Sequence, residues 1–226
     1  MQPHIGFGAF SYDLAHLLGG AMLVLSFVLL YQRRVSAVVN TYAAQALVLA
    51  AAAAWQGWVQ HAPELYLTAL ISLVAKGIVI PLALHRIIRR LEIHRSIETA
   101  LGVFPSMAIG VLLVALAIMV VLPTTLNAGT LTREDLATAL SVVLLGLLTM
   151  ITRRNAPTQV VGFLSLENGL ILAAVGVTGM PMVVELSTAF LVLVAFTVFG
   201  LFFFRIRERL GTLDTRRLDL VIEEPR

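Results

Sequence analysis

Seven apolar blocks, each close to the length that crosses a bilayer as a helix, dominate what this chain can fold into. They run roughly over 12–31, 38–58, 65–85, 103–122, 133–151, 158–178 and 182–204, each near the ~20 residues that span ~30 Å of hydrocarbon. Backbone N–H and C=O groups in lipid must find partners within the segment, so such blocks form helices. They are too long and continuous for the alternating strands of an outer-membrane barrel. The expected fold is all-α: a polytopic membrane protein with seven transmembrane helices. Composition agrees, with 59% of the 226 residues hydrophobic and 13% charged, against about a quarter charged in soluble domains. The opening "MQPHIGFGAF" has no basic n-region and no small-x-small cleavage site, so it is expected to stay in the mature chain.

The charges set the topology. The net charge of +3 and pI of 9.8 would suit a nucleic-acid partner, but the positions of the basic residues point elsewhere. Arg33 and Arg34 follow the first span; Arg86, Arg89, Arg90 and Arg95 follow the third; Arg153 and Arg154 follow the fifth. Arg205, Arg207, Arg209, Arg216, Arg217 and Arg226 follow the seventh. With seven spans all of these fall on one side, leaving only Arg133 opposite and Lys76 inside a span. The positive-inside rule then places the N-terminus outside and the C-terminus in the cytoplasm. The basic runs read as topology signals, and no nucleic-acid partner is expected.

Smaller signals fit this frame. Trp55, Trp58 and Tyr66 gather at the second outer loop, where an aromatic belt belongs. "TRED", Thr132 to Asp135, reads as a capping box opening the fifth span. Pro63 and Pro181 precede outer helix ends. The chain also carries landmarks of an internal repeat. Arg-Arg follows spans one and five, "LVLAA" matches "LILAA", and "ALISLVA" matches "AFLVLVA". A repeat so placed is parallel, with span four as the connector, unlike the inverted repeats of many transporters. The units are 1–100, three helices; 101–132, the connecting helix and an outer loop; 133–206, three helices; and 207–226, a cytoplasmic tail.

Ionisable groups inside the spans are the candidate sites, because a charge in hydrocarbon is costly and by default functional. Lys76 lies near mid-bilayer, roughly 17 Å into span three. Desolvation disfavours its charged form, which suits it to take and give a proton. The alternative is a lysine paired with a carboxylate to hold helices together. Glu167 lies roughly 13 Å from the cytoplasmic end of span six. It points away from a stripe of small residues, Gly162, Ser165, Gly169, Ala173 and Gly176, so this helix is expected to have protein on two sides. Glu167 reads as a proton-relay carboxylate, with a protonated or amide-bonded structural glutamate as the alternative. Asn168 and Gln45 read as polar groups that hydrogen-bond between helices. Glu185 and Glu64 lie within about a turn of outer helix ends, where the macrodipole favours a carboxylate; Glu185 remains a proton-transfer candidate. Asp13 and His16 are one turn apart and suit an interfacial pair, without enough ligands for a metal.

The chain has no cysteine, which excludes cysteine-ligated iron–sulfur clusters, a thiolate nucleophile and disulfides within it. It has no phosphate-cradling glycine loop and no nucleophile–base constellation. No metal or cofactor is expected in this chain.

Residues 153–206, "RRNAPTQVVGFLSLENGLILAAVGVTGMPMVVELSTAFLVLVAFTVFGLFFFRI", resemble hydrogenase-4 component E, a membrane subunit of formate-hydrogenlyase-type group 4 nickel–iron hydrogenase complexes. "LVAKGIVIPLAL", residues 73–84, resembles that family too. The C-terminal part is in turn similar to the three-helix subunit K of complex I and to its counterpart in multisubunit cation/proton antiporters. The resemblance implies a non-catalytic membrane subunit, inactive alone, in a complex-I-like redox complex of a bacterial or archaeal cytoplasmic membrane. It implies a part in proton translocation or in assembly of the membrane arm. Nickel–iron and iron–sulfur centres would sit in partner subunits, reached through membrane neighbours similar to the antiporter-like and H-type components of complex I. It places the intramembrane glutamate of subunit K at or next to Glu167, and Lys76 on the family's lysine in span three. Where the family carries an aspartate on the last helix, this chain has Leu191. The rival readings are a subunit of a cation/proton antiporter and a purely structural scaffold.

Overall fold

The computed structural model describes residues 5–90, 100–124 and 130–176, and everything described is helix or short connection, with isolated bridge residues at Arg34, Arg153 and Asn155. The helices are α1 (Ile5–Tyr31), α2 (Val35–Val59), α3 (Glu64–Ile71), α4 (Ile80–Arg90), α5 (Val103–Thr124), α6 (Thr130–Thr152) and α7 (Ala156–Gly176). A π-helical stretch, Ser72–Val79, joins α3 to α4 and makes one continuous rod of them. Among the described residues six rods are long and apolar enough to cross a membrane, which makes this a multi-pass membrane protein. Their limits match the first six expected spans within a few residues. The seventh expected span, with Glu185, Leu191, Pro181 and the tail, lies outside the described residues, as does Arg95.

α2 is the hub. It packs against α1, α7 and the whole α3–π–α4 rod. Its sequence explains this: alanines such as Ala46, Ala50, Ala52 and Ala53 let neighbouring backbones approach closely. α6 and α7 form the tightest pair. A Cβ on Gly146 would meet the Leu166 backbone nitrogen at 2.5 Å, one on Gly162 the Met150 nitrogen at 2.6 Å, and one on Gly169 the Val143 nitrogen at 2.8 Å. The small-residue stripe of α7 is therefore its seam with α6, as expected. α5 packs against α6 and α1, and its other face, with Phe104, Leu112 and Met119, is exposed.

Hydrogen bonds at the helix ends fix relative directions. Gln60, just past α2, donates to the Val175 carbonyl near the end of α7 at 3.0 Å, so α2 and α7 run parallel. Arg153, just past α6, donates to the carbonyls of Leu29, Leu30 and Gln32 at the end of α1, at 2.7, 2.9 and 2.6 Å. At the opposite end His16 of α1 pairs with Glu134 of α6 at 2.7 Å. α1 and α6 are therefore parallel too. The His16 partner is thus Glu134, which corrects the expected pair with Asp13.

Arg153 does more than mark a loop between two spans. The last carbonyls of a helix have no partner within it, and this guanidinium, 1% exposed, supplies three donors to the end of α1. Burial lowers its pKa to about 10, leaving it cationic at neutral pH. Arg153→Met is expected to fray the end of α1 and destabilise the protein by about 1–3 kcal/mol. Faster hydrogen exchange confined to Leu29–Arg34 would show it.

Two further expectations change. α6 starts at Thr130, so Thr132 is inside the helix and is no N-cap. Asp135, the acid of that motif, is buried against α7, where a Cβ on Gly176 would lie 3.3 Å from its Cβ. Elsewhere the first-turn readings hold: Glu64 occupies the first turn of α3 with Pro63 before it, and Trp55 and Trp58 lie 5.1 Å apart at the end of α2.

Candidate functional site

The spacing of buried residues along the third rod explains its π-helical centre. Ser72, Lys76, Ile80 and Leu84 are all buried, four residues apart. In an α-helix each such step drifts by about 40° around the axis. The wider i→i+5 turn over Ser72–Val79 offsets that drift between Ser72, Lys76 and Ile80, which keeps Lys76 on the buried face of the rod. Serine and threonine hydroxyls in the bundle mostly return to a carbonyl four residues earlier, as Ser141 does to Ala137 at 2.7 Å and Thr149 to Leu145 at 2.8 Å. The polar groups at mid-depth instead bond between helices.

There the two ionisable candidates meet. Lys76 Nζ lies 2.6 Å from Glu167 Oε2, and the residues are 2% and 3% exposed. Lys76 also donates to Asn168 Oδ1 at 3.1 Å. Asn168 Nδ2 faces Gln45 Oε1 at 3.4 Å, Gln45 Nε2 donates to Ser26 Oγ at 2.9 Å, and Ser26 donates to the Met22 carbonyl at 2.9 Å. One polar chain thus crosses the third rod, α7, α2 and α1. Asn168 and Gln45 make the interhelical bonds expected of them. Each stands two residues before its landmark, "LILAA" or "LVLAA", so positions that correspond in the expected repeat face one another.

Apolar layers enclose this chain. Toward the α1–α2 turn lie Leu29, Val38, Val39, Ile80 and Leu164. Toward the other end lie Met22, Leu49, Ala53, Val142 and Leu172. A charge is stabilised in such surroundings only by a close partner. The 2.6 Å contact lets the proton sit on either side, as ammonium with carboxylate or as amine with carboxylic acid. The site can therefore hold and exchange a proton without exposing an unpaired charge. Glu167 Oε1 carries no hydrogen bond. Among the described residues no group of three or more His, Cys, Asp or Glu could hold a metal ion.

Sequence reasoning found Lys76, Glu167, Asn168 and Gln45 but missed Ser26 and Tyr42. Ser26 gave no signal beyond being polar within a span. Tyr42, 0% exposed with an unpartnered hydroxyl, stands one turn before Gln45 on α2.

Fold and site together define a multi-pass helical membrane protein built around a buried, hydrogen-bonded ion pair. No family model matches the chain, and no solved structure matches it. The chain is a homologue of hydrogenase-4 component E. It is 29% identical to the Escherichia coli K12 protein of that name over 203 residues, 89% of this chain and 94% of that one. The Shigella flexneri hydrogenase-4 component E matches equally. An uncharacterized protein of Mycobacterium tuberculosis is 28% identical over 201 residues, 88% of this chain and 91% of its own length.

Proposed function

We propose that this chain is a proton-transferring membrane subunit of a multisubunit, complex-I-like hydrogenase in a bacterial or archaeal cytoplasmic membrane. The observation that carries the proposal is the Lys76–Glu167 pair, buried at mid-depth and tied by Asn168 to a chain of hydrogen bonds. Similarity to hydrogenase-4 component E along nearly the whole chain supports the hydrogenase setting. In this reading the chain crosses the membrane seven times, with its N-terminus outside. The one-sided Arg residues support that, as does the parallel course of α1 with α6 and of α2 with α7. The same parallel pairs, and the meeting of Gln45 with Asn168, support a parallel repeat.

The chain would hold no redox centre of its own; nickel–iron and iron–sulfur centres would belong to partner subunits. Its membrane neighbours would be antiporter-like proteins and one similar to the H-type component of complex I. Redox turnover in the partners would shift the field at the pair. Glu167 would take a proton, Lys76 would move its ammonium toward Asn168 Oδ1, and release of the proton would restore the 2.6 Å contact.

The test is Glu167→Gln in the native complex, purified from its own membranes and placed in vesicles. The amide keeps the shape and accepts from Lys76, so the complex assembles. Turnover-driven proton movement is expected to fall by about tenfold or more. A second reading, a static clamp between the third rod and α7, is favoured by the two partners that α7 gives Lys76, Glu167 and Asn168. It requires unchanged proton movement in the same variant. Recovery of the chain with antiporter subunits and no hydrogenase subunit would place it in the rival assembly.

A further inference from the structure

The layer between the ion pair and the α1–α2 turn holds a group that the pair leaves unused. Tyr42 is fully buried on α2, three residues before Gln45 and therefore one turn nearer that end on about the same face. The side chains in its cluster, among them Leu29, Val38, Val39, Ile80 and Leu164, are otherwise aliphatic. Its hydroxyl has no hydrogen-bond partner, and neither has Glu167 Oε1. Leu164 of that cluster stands one turn before Glu167 on α7, so Tyr42 packs in the layer next to the Glu167 carboxylate. A buried hydroxyl and a buried carboxylate oxygen are rarely both left unpaired, and where the protein supplies no partner an ordered water usually does.

We propose that the Tyr42 hydroxyl, with a water held between it and Glu167 Oε1, is the proton connection of Glu167 toward the α1–α2 end of the bundle. The inference rests on the proton-transfer reading above. In one concerted step the water gives a proton to Glu167 Oε1 and takes one from the Tyr42 hydroxyl. Tyr42 takes one in turn from a hydronium arriving from the α1–α2 end. Three O–H bonds break and three form; water and tyrosine end neutral, and the hydronium leaves as water. Release runs the same path backward. Tyr42 lies about 10 Å along α2 from its start.

Tyr42→Phe keeps the ring and removes only the hydroxyl. In the purified complex in vesicles it is expected to slow turnover-driven proton uptake by about tenfold or more, with unchanged assembly and melting temperature. Glu167→Gln is measured beside it. Wild-type uptake in Tyr42→Phe with loss in Glu167→Gln overturns the role of Tyr42 and leaves the proposed function standing. Wild-type uptake in both variants overturns both. An independent readout is a cryo-EM map of the wild-type complex that resolves water. Density bridging Tyr42 Oη and Glu167 Oε1 is expected, and an empty gap overturns the proposal even if the phenylalanine variant does not assemble.

Discussion

Lys76→Ala is expected to cost the folded protein about 3–5 kcal/mol and to deplete it from the membrane. The lysine is 2% exposed, so water cannot replace its ammonium. Its removal leaves Glu167 Oε2 without its cation and Asn168 Oδ1 without its donor, in a layer that is apolar on both sides. Removing one half of a buried pair strands the other, whereas replacing both with apolar groups of similar volume is often neutral or stabilising by about 1–4 kcal/mol. Lys76→Met with Glu167→Leu is therefore expected to restore accumulation and melting temperature without restoring proton movement. Protein level in membranes and thermal unfolding in detergent check the first half, and vesicle assays check the second. A double variant as unstable as Lys76→Ala would mean that the pair is not the source of the loss.

Gly162→Leu is expected to be comparably severe, for a different reason. A Cβ there would lie 2.6 Å from the Met150 nitrogen and 2.8 Å from its Cα. Both are backbone atoms, so the contact is relieved only by moving α6 from α7. Inserting bulk into a packed interior costs about 1–3 kcal/mol and more where nothing can yield. The same separation would pull apart the seam that carries Gly146 and Gly169, and with it the helix that positions Glu167 and Asn168. Gly20 is the control, since a Cβ there meets nothing within 4 Å. Gly20→Ala is expected to leave the melting temperature unchanged or slightly raised, while Gly162→Leu lowers it by many degrees. Equal melting temperatures would contradict the seam.

The spans were legible because hydrocarbon length and arginine position are properties of the chain itself. The expected 103–122 became Val103–Thr124, and 158–178 became Ala156–Gly176. Lys76 and Glu167 stood out because ions are rare in such surroundings. Their union was less legible. They lie on different helices, and their meeting depends on how the third rod and α7 flank α2. The π-helix left a trace, the four-residue spacing of Ser72, Lys76, Ile80 and Leu84, whose meaning depends on which face is buried. Arg153 read as a topology signal because every arginine beside a span does so; its bonds to the end of α1 arise from two distant turns packing together. "TRED" misled because a capping motif is local, and here Asp135 turned instead toward Gly176 of α7.

The central claim is that Glu167 changes protonation as the complex turns over. Infrared difference spectroscopy of the purified complex, triggered by substrate, reads this directly. A carboxylic acid C=O band that shifts in deuterium oxide and disappears in Glu167→Gln is the result expected. A spectrum identical in wild type and Glu167→Gln would show a carboxyl group that keeps one state throughout turnover, and would contradict the account.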